Sequence, residues 1–200
     1  MIQRYLGFFT ATSNIFSNII TALLLFCSMA FAQLASAANY NPTTFTDPNY
    51  TAINNATGVI TAGAGVGLIS LRSALQAADN NGVGPHIITL LAGTYNVTGG
   101  AAIGSWIAFG STNNQNITIN GVATSPNTTI INMAGVGIFQ DRIFGINVLT
   151  LGGTVGVITT INNVKFTNGH LNSDSYGGGA IEFASTGNAS ALTQIGRAHV

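Results

Sequence analysis

"SLRSALQAADNN", residues 70–81, is the stretch on which the fold turns. Ser70 is placed as an N-cap, and Leu71, Ala74, Leu75 and Ala78 fall at i, i+3, i+4 and i+7. Asn80, Asn81 and Gly82 supply a stop. The spacing predicts a helix over about 71–79 with one apolar stripe. Arg72, Gln76 and Asp79 lie off that stripe. A helix of about ten residues is marginal alone, so its stripe requires a surface to cover.

That surface is expected in the residues that follow. "HIITLLAGTYNVTG" (86–99) reads as a strand, an Ala-Gly turn and a second strand. "NITING", "TTIINM", "DRIFGINVLTLGG", "VITTINNVKFTNG" and "GGGAIEFAS" each hold a short β-branched or aromatic run bounded by Asn or Gly. "ITING" (117–121), "RIFGI" (142–146) and "VKFTNG" (164–169) recur at about 21 to 26 residues with no helical pattern between them. Such a period suggests a solenoid whose coils each contribute short strands. Asn-Gly also marks hairpins, which keeps an antiparallel sandwich as the structural alternative.

Composition agrees with a β-rich, uncharged surface. Charged residues are 5% of the chain, hydrophobic residues 46%, and the formal net charge is zero. The hydrophobic content excludes the disorder that low charge alone would leave open. With no basic patch to neutralise phosphates, nucleic acid is excluded as a partner. Asn, Thr and Ser must then make the polar surface, where their side chains bond nearby backbone in turns and on strands.

Upstream, residues 1–37 have the layout of an export signal. Arg4 opens the segment, an apolar run spans Ile19 to Ala32, and "AFA" and "ASA" offer cleavage after Ala32 or Ala37. The alternative is an N-terminal membrane anchor, but the run is shorter than the ~20 residues that a spanning helix needs. No transmembrane segment is expected once the signal is removed. Cys27, the one cysteine, leaves with it, so the mature chain is expected to have no disulfide and no thiol. Residues 38–65 read as a linker or first strands. Within and just past them, "GVITAGAGVGLI" (58–69) lacks the G-K-[ST] of a phosphate loop and reads as turns between short strands.

With these residues in view, "ISLRSALQAADNNGVGPHIITLLAGTYNVT" (69–98) resembles the CSLREA-type N-terminal segment of secreted right-handed parallel β-helix proteins. These are similar to the polymorphic outer-membrane proteins and autotransporter passengers of bacteria. Ser70, Leu71, Arg72, Ala74, Ala77 and Ala78 match the motif, and Ala92, Gly93, Thr94 and Tyr95 match its strand-turn signature. The chain departs from it at Ile69 (for Cys), Ser73 (for Glu) and Leu91 (for Pro). The resemblance spans about residues 66–194. It implies an all-β chain, a right-handed parallel β-helix capped at its N-terminal end by the helix at about 71–79. Ser70, Leu71, Ala74, Leu75 and Ala78 are the expected cap residues. It also implies a secreted or outer-surface location on a bacterial cell and a non-catalytic adhesion or structural role. Glycans or cell-surface proteins are the expected partners.

The same fold carries polysaccharide lyases and glycoside hydrolases, so an enzyme whose catalytic coils lie outside this stretch is the alternative. Such enzymes need a strong base or paired carboxylates. Past the signal the acids are Asp47, Asp79, Asp141, Asp174 and Glu182. The bases before the last six residues are Arg72, Arg142 and Lys165. Lys165, alternating outward between Val164 and Phe166, is the best candidate base. His170 and Asp174 sit in the loop "NGHLNSDSYGGG" but fall short of a metal set. Asp141 and Arg142 read as a turn residue and a solvated flank, and His86 as a turn residue. No catalytic constellation, metal site or cofactor is expected. The tail "IGRAHV" (195–200) back-translates to a synthetic sequencing-adapter sequence, so it is expected to have no evolved role and the β-helix domain to be truncated there.

Overall fold

The computed structural model describes residues 21, 37–82, 84–98, 106–110, 115–123, 127–134, 142–146, 156–169, 180–183 and 191–195. The chain divides into Met1–Ala35 and Ser36–Val200, and the second unit carries the fold. The expected signal segment lies outside the described residues apart from Thr21 and Ala37. Thirteen strands and a helix are described: β1 (Ala38–Tyr40), β2 (Tyr50–Ile53), β3 (Ile60–Gly63), α1 (Leu71–Asn80), β4 (His86–Thr89), β5 (Gly93–Val97), β6 (Ile107–Phe109), β7 (Asn116–Asn120), β8 (Thr129–Met133), β9 (Phe144–Ile146), β10 (Ile158–Asn162), β11 (Lys165–Thr167), β12 (Ile181–Phe183) and β13 (Ala191–Ile195).

From β4 onward the chain visits three sheets in rotation. The first runs β1-β4-β7-β10-β13, the second β5-β8-β11 and the third β6-β9-β12. Every pairing in these sheets is parallel. Only β2 and β3 pair antiparallel among the described strands. The sandwich alternative is thereby overturned. Asn-Gly does not close hairpins here: Asn120 ends β7, and Asn168, in the left-handed region at φ 60°, follows the end of β11. Asn tolerates that conformation better than other residues with a side chain, so the dipeptide makes corners. Likewise β4 and β5, on either side of Leu91-Ala92, belong to different sheets.

The lap is also longer than the recurrence of these strings suggests. "ITING", "RIFGI" and "VKFTNG" lie on the first, third and second sheets, so their spacing is not one lap. Register gives the true steps. His86 faces Ile117, and Ile117 faces Thr159 on the following lap. Gly93 faces Thr129, and Ile107 faces Phe144. Each of these steps exceeds the expected period, and no two are equal. Strand sequences on the three sheets look alike because most alternate in and out, so self-similarity reports the side-chain alternation and not the lap.

Alternation places every second residue of a strand inside. β7, with Ile117 and Ile119 both 0% exposed, is the plainest case. Ile88, Ile119 and Ile161 stack in register across the first sheet, and Tyr95, Ile131 and Phe166 across the second. Phe144 meets Phe109 and Phe166 edge-on, each at 5.4 Å between centroids, a favoured aromatic geometry. These side chains form one continuous core.

The helix forms where the spacing predicts it and runs one residue further, to Asn80. Ser70 Oγ accepts the Ser73 amide at 3.1 Å, and Ser73 Oγ accepts the Ser70 amide at 2.9 Å. Ser73 thus does here what Glu does in the usual capping box. Leu71, Ala74, Leu75 and Ala78 join the core, and the helix packs against β6, β1 and β4.

The residues before and within α1 meet the edges of all three sheets. β1 pairs with β4. Beside β5, Phe45 O accepts the Asn96 amide at 2.8 Å and Asp47 Oδ2 accepts the Thr98 amide at 3.2 Å. Beside β6, Arg72 donates to Trp106 O and Asp79 Oδ1 accepts the Gly110 amide at 3.0 Å. Residues seven apart on a helix lie two turns apart on one side, about 10 Å in rise. Four residues of strand span about 13 Å. Arg72 and Asp79 therefore reach both ends of β6 from one helix face. Residues 38–65 hold β1, β2 and β3, and Asp47 between them is bonded into the fold.

Candidate functional site

The charged side chains gather into a linked run. Arg72 Nε donates to the Asp47 carboxylate at 2.9 and 3.1 Å and Nη2 at 2.7 Å. This fork-to-carboxylate geometry is the strongest hydrogen-bonded form of an ion pair. The remaining Nη1 donates to Trp106 O. The Arg142 guanidinium lies 4.8 Å from the Trp106 indole centroid, a cation–π contact. Arg142 Nη1 in turn pairs with Glu182 on β12. The chain holds five Lys or Arg and five Asp or Glu; two of each stand in this run. The Trp106 ring overlies Gly145 of β9, where a Cβ would strike the indole.

One expectation is corrected here. Arg142 is not a solvated flank: its residue is 6% exposed. Arg72, which lies off the apolar stripe, is buried as well, at 1%. A buried charge is costly unless paired and hydrogen-bonded. The sequence signal was the scarcity of charge, since each ion in so apolar a chain has a large solvation cost to offset. Which acid meets which base depends on the length of each lap, and no local spacing reveals that.

This run is structural chemistry. In the Asp47–Arg72 pair the arginine and aspartate side chains are 0% and 4% exposed, and in the Arg142–Glu182 pair 7% and 13%. Each guanidinium is held by a carboxylate. The gap among Phe45, Asp47, Arg72, Tyr95 and Ile107 is too tight to admit a water molecule.

Lys165 opens β11, half-buried between the buried Val164 and Phe166. Its register neighbours on the outer face are Ile130 and, beyond it, Thr94. No carboxylate flanks it along that row. His170 and Asp174 lie outside the described residues, as does Asp141. His86 is no turn residue: it begins β4, is 0% exposed and packs against Tyr40. Its Nε2 lies 3.0 Å from Gly82 O. A carbonyl only accepts, so Nε2 carries the hydrogen. Among the described residues no group of three His, Cys, Asp or Glu is placed to hold a metal ion, and no helix is long and apolar enough to cross a membrane.

The outer faces present neutral hydrogen-bonding groups in register, interspersed with Ile87, Ile130 and Ile158. On the first sheet Thr118 and Thr160 stand in register, as do Asn120 and Asn162. Asn162 Nδ2 donates to Asn120 Oδ1 at 2.8 Å. On the second sheet Asn132 Nδ2 donates to Asn96 Oδ1 at 2.9 Å, and Thr167 and Asn168 both donate to Asn132 Oδ1, at 3.0 and 2.7 Å. Parallel pairing makes these rows, because equivalent residues of successive laps lie about 4.8 Å apart. Comparison with known families, with curated proteins and with solved structures gives no match.

Proposed function

We propose that residues 66–194 build a right-handed parallel β-helix that acts outside the cell as a non-catalytic adhesive or structural element, with glycans or surface proteins as its partners. One observation carries the reading. The outer sheet faces offer registered Thr and Asn rows, while four of the chain's few charges are spent inside on ion pairs. A neutral, regularly spaced polar face suits hydrogen bonding to sugar hydroxyls or to another protein's backbone. It offers little for proton transfer. The three-sheet rotation supports the β-helix, and parallel crossovers are right-handed in nearly all proteins. The signal-like residues 1–37 support export.

The test is retention on immobilised polysaccharides together with an assay for released unsaturated or reducing ends. Binding should persist at high salt, since no net charge is involved, and no ends should be released with or without calcium. Polymer cleavage that disappears in Lys165→Ala would establish the lyase alternative instead.

A further inference from the structure

Five Asn-x-Ser/Thr triplets fall among the described residues, beginning at Asn49, Asn55, Asn96, Asn116 and Asn127. Such a triplet accepts an N-linked sugar when it lies at the surface. A chain rich in Asn and Thr generates triplets by composition, so the motif alone assigns nothing. The fold separates them. Asn96 is held in the row with Asn132, and the Thr98 hydroxyl donates to Asp47 O at 3.2 Å. In the Asn127 triplet the hydroxyl belongs to Thr129, which is 0% exposed and lies between the Val122 amide and Leu91 O. Asn116 is half-buried in β7, which is paired on both sides by β4 and β10. A transferase has no access to that backbone.

The other two triplets lie on the β2–β3 hairpin, outside the parallel sheets. Asn49 and Thr51 are exposed on either side of buried Tyr50, so alternation sets both on the outer side. Asn55 and Thr57 are exposed in the turn closed by the Gly58 amide on Asn54 O at 2.8 Å. Asn55 engages Asn80 through its Oδ1, which leaves that contact off the nitrogen that would bond the sugar. Each triplet joins a reachable carboxamide to a reachable hydroxyl two residues on. Nearby, the Ala64 amide bonds Asn49 O, starting the turn that carries Val66, 61% exposed.

We propose that this hairpin is a glycan-bearing patch, with Asn49 and Asn55 as acceptors of N-linked sugar. The co-reactant is a sugar activated as a diphosphate ester. Asn Nδ2 forms a bond to the sugar C1, the C1–oxygen bond to the diphosphate breaks, the diphosphate leaves with the electron pair, and the amide proton passes to the transferase. A sugar here would hydrate the apolar turn around Val66.

The assignment stands on exposure and not on the adhesive reading. It is tested on the folded full chain carrying Asn188→Gln, which removes the triplet outside the described residues. The chain is incubated with a soluble N-glycosyltransferase and UDP-glucose and mapped by mass spectrometry. Synthetic peptides spanning the five triplets run in parallel. Peptides should accept sugar at all five, and the folded chain only at Asn49 and Asn55, each addition being lost in Asn49→Gln or Asn55→Gln. An unmodified hairpin, equal modification at Asn96, Asn116 or Asn127, or the same selectivity in the peptides would each overturn it.

Discussion

Arg72 and Asp47 form a pair whose worth depends on what replaces it. Removing one partner strands the other charge in the interior, which costs about 3–5 kcal/mol, whereas replacing both by apolar groups of similar size is often neutral. Arg72→Met should therefore lower the denaturant midpoint steeply, and Asp47→Leu/Arg72→Met should recover most of the loss. An unchanged midpoint in the single variant would mean that the pair does not hold the N-terminal residues to the helix. Tyrosine gives a second test at this scale. Burial raises the phenol pKa of Tyr40, Tyr50 and Tyr95 above the ordinary 10.0, Tyr50 the furthest. Desolvation disfavours the charged phenolate. Between the unfolded and folded pKa the unfolded chain has lost a proton that the native chain keeps, so stability falls as pH rises above about 10. The stabilisation is complete below that pH. In an alkaline titration, tyrosinate absorbance from these three should appear together with unfolding, and Tyr50→Phe should move the transition to higher pH. Tyrosinate that forms fully before any loss of circular dichroism would contradict the burial.

At the scale of elements, α1 performs two tasks on two faces. Leu71, Ala74, Leu75 and Ala78 pack into the core, while Arg72 and Asp79 satisfy backbone groups at both ends of β6. An exposed strand edge is a template for pairing with other chains. Leu71→Asp buries a carboxylate against Leu75 and the core, so the helix should detach and the protein should self-associate in sedimentation with its β-signal retained. A strictly monomeric Leu71→Asp with unchanged β-content would rule out the capping role. Ser70→Ala removes the cap oxygen at a cost of about 1 kcal/mol, enough to lower the melting midpoint without association. The Asn corners belong to this scale too: Asn163 and Asn168, at φ 55° and 60°, turn the chain on the two sides of β11.

Across the whole molecule, three parallel sheets share one core, so a buried isoleucine supports three laps at once. Ile119 lies in register between Ile88 and Ile161. Ile119→Ala should cost about 2–5 kcal/mol through lost burial and an unfilled cavity. Thr118→Ala, one residue away on the outer face, should fall within about 0.5 kcal/mol. Equal effects in chemical denaturation would mean that β7 does not face the core as described. The Arg142–Glu182 pair, the Trp106 contact and the Asn rows all join residues of neighbouring laps. Each is a by-product of the rotation and forms only when the register is right.

Local physics was legible in the residues. The cap at Ser70, the stripe of α1, the outward Lys165 and the in-and-out alternation of strands such as β7 and β8 depend on neighbours within a few positions, and a chain displays those directly. The resemblance led to parallel pairing, but the unequal laps that carry His86 to Ile117 and Ile117 to Thr159, and the burial of Arg72, Arg142 and His86 were not legible. Asn-Gly serves a hairpin and a corner equally well, and strands on three sheets share one alternation, so the local pattern alone left pairing open. Partners distant in the chain, such as Asp47 with Arg72 or Arg142 with Glu182, are chosen by which strands close on the same core. Only the tertiary structure could say which ions are buried and which partners they meet.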